Sequence, residues 1–238
     1  MTLLRDQAIV IRSWKLGEAD RIVSLFSREH GKLRAVAKGS RRLKSRVGAR
    51  IEPLVVLNIQ LWLGRDLHVI SQVETIESNF ELRRDLTVIQ RAMSILELVD
   101  RLAHDDHEDP PLYDATIRAF RSLASSNSPL FVPAFYLRAM QLEGFQPSLD
   151  RCRDCGATEG ITGFDVRSGD VICRDHPSGL DVSPGVLSAM RSVLGGRTSQ
   201  VLAETSPQDA ARVETLVVGF CESMIERRLR AIRPMGEN

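Results

Sequence analysis

The sequence predicts an α+β, multidomain protein, and three observations carry that prediction. The first eighty residues alternate in the period-2 manner of strands. From Asn79 onward apolar residues recur at helical spacing. A compact segment holding three of the four cysteines interrupts the helical part.

The strands come first. Ala8-Ile9-Val10-Ile11 is apolar and β-branched, and Arg21 to Phe26 follows it, with a turn at His30-Gly31. Lys32-Leu33-Arg34-Ala35-Val36-Ala37 alternates charged and apolar residues, the mark of a half-buried strand. Leu54 to Leu63 is a fourth strand, Gly64-Arg65-Asp66 turns the chain, and Leu67 to Ile76 is the fifth. Five short strands with no strong helix among them predict a small barrel of the OB type over residues 1–79. Trp14, Phe26 and Trp62 fall on these strands and are expected in the core, with stacking platforms for bases as the alternative.

A helical domain is expected over residues 80–238. Ser78-Asn79-Phe80-Glu81 offers a capping box, and Leu82, Leu86, Ile89, Met93, Leu96 and Val99 form one apolar stripe. Further helices are expected over Tyr113 to Leu123 and over Ala134 to Leu142, with Pro133 in the first turn of the latter or kinking it. Ser183-Pro184 starts another helix, stopped by Gly195, and Ser206-Pro207 starts the last.

The interrupting segment reads Cys152-Arg153-Asp154-Cys155, then seventeen residues, then Cys173-Arg174-Asp175-His176. Two ligand pairs, each with a two-residue gap, are what a tetrahedral zinc site requires. Between them, Ile161 to Val166, a turn at Ser168-Gly169-Asp170, and Val171-Ile172 read as a hairpin, a zinc-ribbon-like plan inserted at about residues 150–180. A redox cysteine pair belongs beside a βαβ pattern, and none surrounds this one. Cys152, Cys155, Cys173 and His176 are thus the expected ligands of one structural zinc ion. Four protein ligands leave no open position for catalysis. Cys221 lies in the last helical pattern and reads as a packed thiol.

Composition bounds the rest. Of 238 residues 43% are hydrophobic, enough for a real core, and no run approaches the length of a membrane span. Met1 to Trp14 carries Arg5, Asp6 and Arg12 and lacks the apolar block of a signal peptide. Few cysteines, grouped for a metal, fit a reducing cytoplasm. The net charge of +1 conceals an uneven distribution. Residues 1–80 carry 14 Lys and Arg against 8 Asp and Glu, a net of +6, whereas residues 81–150 carry 7 against 11 and residues 151–238 carry 11 against 12.

The positive charge is concentrated between Arg28 and Arg50, where nine cations face Glu29 alone. Lys32, Arg34, Lys38, Arg41, Arg42, Lys44 and Arg46, interleaved with Gly39, Ser40 and Ser45, suit the phosphates of a polymer and lack the spacing of a nucleotide P-loop. Aromatic residues are 5% of the chain, so binding is expected to rest on phosphates more than on base stacking. Two other clusters read as decoys. His104-Asp105-Asp106-His107-Glu108-Asp109 is a solvated acidic loop, and Glu18 with Asp20 has no nucleophile or metal partner nearby. No catalytic constellation stands out.

Gly17-Glu18-Ala19-Asp20-Arg21-Ile22-Val23, Gly31-Lys32, Ala37-Lys38-Gly39-Ser40-Arg41-Arg42, the run Leu137 to Pro147 leading into Cys152-Arg153-Asp154-Cys155-Gly156, and Arg227-Arg228-Leu229-Arg230 occur in that order. Together they resemble RecO, a family of bacterial recombination mediators in DNA repair, along nearly the whole chain. The resemblance implies an N-terminal OB-fold, a helical domain and a zinc-binding portion. It implies binding of single- and double-stranded DNA, annealing of complementary strands, and work with RecR to help RecA displace single-strand-binding protein. Nucleoid association in the cytoplasm follows from that role. The family's basic surface carries over to the seven cations just named, and its zinc positions to Cys152, Cys155, Cys173 and His176, the last being Cys in many relatives. Two rivals stand beside this: a zinc-dependent nucleic-acid hydrolase, which needs an open metal position, and a zinc-stabilised interaction scaffold. The acidic tail of single-strand-binding protein is a partner the resemblance implies, and grooves lined by Arg118, Arg121 or Arg138 are candidate places for it.

Overall fold

A computed structural model describes residues 2–126 and 128–231, so the tail beyond Ala231 lies outside the described residues. The chain forms two compact units, Met1–Ala124 and Ser125–Asn238. The strand pattern ends near residue 79, as expected, but the next two long helices stand in the first unit.

In that unit β1 (Leu3–Leu16), β2 (Asp20–Ser27), β3 (Gly31–Ala37), β4 (Val56–Trp62) and β5 (His68–Glu77) close a barrel in the order β1-β2-β3-β5-β4, with β4 returning to β1. All pairs are antiparallel except β3 and β5, joined in parallel at Ala35↔His68 and Val36↔Val69. This is the OB-like barrel that the alternation predicts. Alternate residues point inward: Ala8 and Val10, Val23 and Leu25, Leu33, Ala35 and Ala37, then Leu57, Ile59 and Leu61, with Ile51, Val55 and Val73 closing the core. Each larger side chain among them stabilises the barrel by about 1.5–3 kcal/mol through burial.

A β-bulge between Val10 and Arg12 shifts the phase of β1 and turns Trp14 outside, and the unbroken alternation of β4 puts Trp62 outside. Trp14 pairs with Ile22, next to inward Val23, and Trp62 follows inward Leu61. They are 41% and 38% exposed, which corrects the expectation that both are core residues. Phe26 is fully buried, yet on the outer face, its ring 5.7 Å from that of Tyr113.

Tyr113 belongs to α2 (Pro110–Leu123), which follows α1 (Leu86–Leu102). The expected capping box at Ser78 does not form. Asn79 takes a left-handed backbone (φ 49°) and donates its side-chain amide to Leu54 O. A 3-10 turn over Phe80–Arg83 intervenes, and α1 is capped by Asp85, which accepts from the Thr87 and Val88 amides. The acidic loop between α1 and α2 is more than a solvated linker. Lys32 N–H donates to His104 O at 2.9 Å, and Asp109 caps α2 by accepting from Leu112 N–H. Gly31 makes that approach possible, because a Cβ there would lie 2.1 Å from His107 O, and its φ of +65° suits glycine.

In the second unit α3 (Phe131–Leu142) includes Pro133 in its first turn. The hairpin β6 (Ile161–Asp165) and β7 (Asp170–Cys173) gains a two-residue strand β8 (Leu180–Asp181) beside β6. Then come α4 (Pro184–Leu194), α5 (Thr198–Glu204) and α6 (Pro207–Met224), with α3 packed on α4 and α6. Ser183 and Ser206 cap α4 and α6 as the Ser-Pro pairs predict. Phe220 of α6 packs edge-on against Phe164 of β6, tying the hairpin to the helices.

Gly31→Ala should therefore lower stability by about 1–3 kcal/mol through backbone strain and the clash with His107 O. Urea unfolding followed by tryptophan emission would measure it.

Candidate functional site

The loop between β3 and β4 carries most of the basic cluster, and a latch holds its first part. Asp20, at the start of β2, accepts the Gly39 N–H at 2.7 Å. Arg41 N–H donates to Ala19 O at 2.9 Å, and its guanidinium donates to both Gly17 O and Glu18 O at 2.9 Å. Thus the β1–β2 turn and the start of the basic loop are one hydrogen-bonded unit. Gly39 has a φ of +64°, the conformation that lets its N–H reach Asp20 while the chain reverses. Asp20 has a structural partner after all, where the sequence offered none. The signal was present in the sequence as two short motifs, Gly17 to Asp20 and Lys38 to Arg42, but nothing linear shows that they touch.

The latch sorts the seven expected cations into two groups. Lys32 points outward from β3 onto α1, where its Nζ donates to Asp100 O at 2.8 Å and lies 3.6 Å from the Asp100 carboxylate. Arg12 of β1 grips the same carboxylate at 2.7 Å. Lys32 is only 17% exposed at its side chain, so it joins helix to barrel. Arg41 holds the turn, although it remains exposed. Arg34, Lys38, Arg42, Lys44 and Arg46 are exposed, with no side-chain partner among the described residues. Nearby, Arg28 pairs with Asp114 at 3.2 Å and Arg50 donates to Val73 O. Leu43, between Arg42 and Lys44, is wholly exposed.

The second centre is in the second unit. The side-chain ligand atoms of Cys152, Cys155, Cys173 and His176 all lie within 4.8 Å of one another. Two tight turns produce this: Gly156 N–H donates to Cys152 O, and His176 N–H donates to Cys173 O. The β6–β7 hairpin then brings the two turns face to face, through Arg174 N–H to Gly160 O and Cys173 N–H to Cys152 Sγ at 3.4 Å. Cys152 and Cys173 are buried, while Cys155 and His176 are exposed. Cys155 Sγ and Cys173 Sγ are 3.6 Å apart, and Cys173 Sγ is 3.4 Å from His176 Nδ1. A disulfide would require about 2 Å. Two thiolates at about 2.3 Å from a tetrahedral metal lie roughly 3.7 Å apart. The donor set and its spacing fit a closed four-ligand metal site.

Electrostatics agree with that geometry. The Cys152 thiol is lowered to about 6, chiefly by the Cys173 N–H that it accepts. Cys155 is pushed up: a hydrogen bond from the Ala157 backbone favours its thiolate, but Cys173 Sγ, desolvation and Cys152 together outweigh it. Thiolates this close repel each other, and a divalent cation removes the conflict. Cys221 stands outside the cluster, and burial followed by Glu222 keeps its thiol protonated. The histidines and acids at residues 104–109 form no metal-holding group among the described residues.

Asp20→Ala should speed hydrogen exchange at the Gly39 amide by at least tenfold, whereas Asp20→Asn, which keeps an acceptor oxygen, should restore most of the protection. Amide exchange of the two variants checks this directly.

Comparison with known families covers both units. The family model described as Recombination protein O N terminal matches residues 1–79, the span of the barrel strands. The model described as Recombination protein O C terminal matches residues 83–232, which include the four-ligand cluster. The two matches run in the order in which barrel and helices follow along the chain. The chain therefore belongs to the recombination protein O family of recombination mediators in DNA repair.

Proposed function

We propose that this chain binds single- and double-stranded DNA through the latched basic loop, anneals complementary strands, and acts with RecR to help RecA load onto strands coated by single-strand-binding protein. One observation supports the DNA contact above all: five exposed cations, Arg34, Lys38, Arg42, Lys44 and Arg46, stand beside a loop start fixed by Asp20 and Arg41 and carry no carboxylate partner among the described residues. Unpaired cations on a partly rigid loop lose little entropy on meeting phosphates, and they release the counterions of the strand they bind.

Annealing requires no bond to be made or broken. Two complementary strands repel through their phosphates, and a cationic surface lowers that repulsion while they meet. No catalytic group takes part in this mechanism. The acidic tail of single-strand-binding protein is drawn to the same positive potential or to arginines of the helical part such as Arg118 and Arg138. Arg121 is a poorer candidate, since Glu77 already holds its guanidinium. The reaction takes place in the cytoplasm at the nucleoid. No helix among the described residues is long and apolar enough to cross a membrane.

Cys152, Cys155, Cys173 and His176 would hold one zinc ion, which would keep the thiolates ionised and fix the hairpin; four protein ligands would leave no site for a hydrolytic water.

Both parts have measurable consequences. If all five free cations meet phosphates, log K for a single strand should fall against log salt with a slope of about −3.5, at roughly 0.7 per contact. Combining Lys38→Glu with Arg42→Glu should flatten that slope by about 1.4, whereas Lys32→Glu should destabilise the barrel and leave the slope of the folded fraction unchanged. Fluorescence anisotropy across a salt series separates the two, and an unaltered slope in the double variant would refute this surface. For the metal, mass spectrometry of the purified protein should find one zinc per chain. Cys173→Ala should lose it and lower the temperature at which the second unit melts.

A further inference from the structure

The outer face of the barrel has a covered half and an open half. Near α1 and α2 its residues are buried: Ser24 and Phe26 on β2 are 5% and 0% exposed, and Lys32 reaches Asp100. One row further along β2 the cover ends. There the strand register sets Trp14 beside Ile22, Ile22 beside Val36, and Val36 beside Val69, an apolar row crossing β1, β2, β3 and β5 on the outside. Trp14 is 41% exposed, and Ile22, Val36 and Val69 are half-buried. The neighbouring rows end in cations. Arg34 lies across from Ser24 in the register on one side, and Lys38 follows Ala37 on the other, both exposed and without a side-chain partner among the described residues. They lie four positions apart, Arg34 on β3 and Lys38 just past its end, about 13 Å for extended chain, and bracket Val36. Asp20, at the Lys38 edge, has its carboxylate engaged by Gly39 N–H.

We infer that this row is a nucleobase platform: one unpaired base stacks on the Trp14 indole, Ile22 and Val36 form the floor beside it, and Arg34 and Lys38 take the flanking phosphates. A flat apolar strip edged by cations complements a single strand, whose bases offer π-faces and whose linkages are anionic. It complements a duplex less well, since there the π-faces are already stacked. The inference rests on the barrel being a DNA-binding module and adds to it a preference for unpaired bases, through a residue that the sequence pattern had assigned to the core.

The test uses the full chain. Of its two tryptophans, Trp62 is replaced (W62F), leaving Trp14 as the only indole. Two oligomers of equal length and charge are titrated at low salt: oligo-dT, and an abasic deoxyribose-phosphate chain. Oligo-dT should quench Trp14 emission and the abasic chain should not. W14A should weaken oligo-dT binding by roughly 5-fold or more, W14F should retain most of it, and neither should alter abasic binding. Unchanged Trp14 emission while anisotropy reports bound oligo-dT would overturn the platform and leave phosphate binding standing. Equal weakening of both oligomers by W14A would make Trp14 a structural residue and would also overturn it. Absence of binding to either oligomer would overturn the DNA-binding reading itself.

Discussion

The hydrogen bonds between the β1–β2 turn and the β3–β4 loop are the constraint on which the binding surface depends. Asp20 accepts from Gly39 and Arg41 donates to the carbonyls of Gly17, Glu18 and Ala19, across two segments that are neighbours only because β1, β2 and β3 are paired in register. Without them Lys38 and Arg42 would be cations on an untethered loop. A charge on a wandering chain must lose that freedom upon binding, at about 0.5–1.5 kcal/mol for each ordered side chain. The barrel supplies the frame and the latch carries its rigidity outward to the first part of the loop.

Charge in the first unit is divided by what lies across from it. Arg12 and Lys32 meet Asp100, Arg28 meets Asp114, Arg21 meets Glu52, and Arg121 meets Glu77. Most of these are exposed or half-exposed pairs, each contributing at most about 1 kcal/mol to stability. Their larger consequence is negative: they remove those cations from the set that a polyanion can engage. Arg34 on β3, and Lys38, Arg42, Lys44 and Arg46 on the loop that follows it, meet no carboxylate among the described residues.

Much of this was legible in the sequence because alternation encodes orientation. Val23 and Leu25, or Leu33 and Ala35, identify the inward face with no ambiguity, and five such runs suffice for the barrel. The paired CxxC and CxxH gaps encode the metal cluster in the same local way, since each pair closes its own turn. What alternation leaves open is the environment of the outward residues. Lys32, Arg34 and Lys38 are equivalent by period, yet only the first is met by a carboxylate from a helix nearly seventy residues on. Trp14 shares the phase of inward Ala8 and Val10, and the β-bulge after Val10 that turns it outward has no signature in the alternation. The short helix α5 escaped notice since Val201 alone is buried on it, which leaves no stripe to recognise. No capping box forms at Ser78 because Asn79, its side-chain amide donated to Leu54 O of a distant loop, takes a left-handed backbone and begins a 3-10 turn.

The zipper between β3 and the loop following α1 bears on how the protein can be dissected. A fragment cut where the strand pattern stops would strip Phe26 of Tyr113 and leave Arg12 and Lys32 without Asp100. It would also uncover the start of β3, whose Lys32 amide answers to His104. The natural scission point for an autonomous amino-terminal piece is therefore after α2, near Ala124, where a severed chain keeps its own lining.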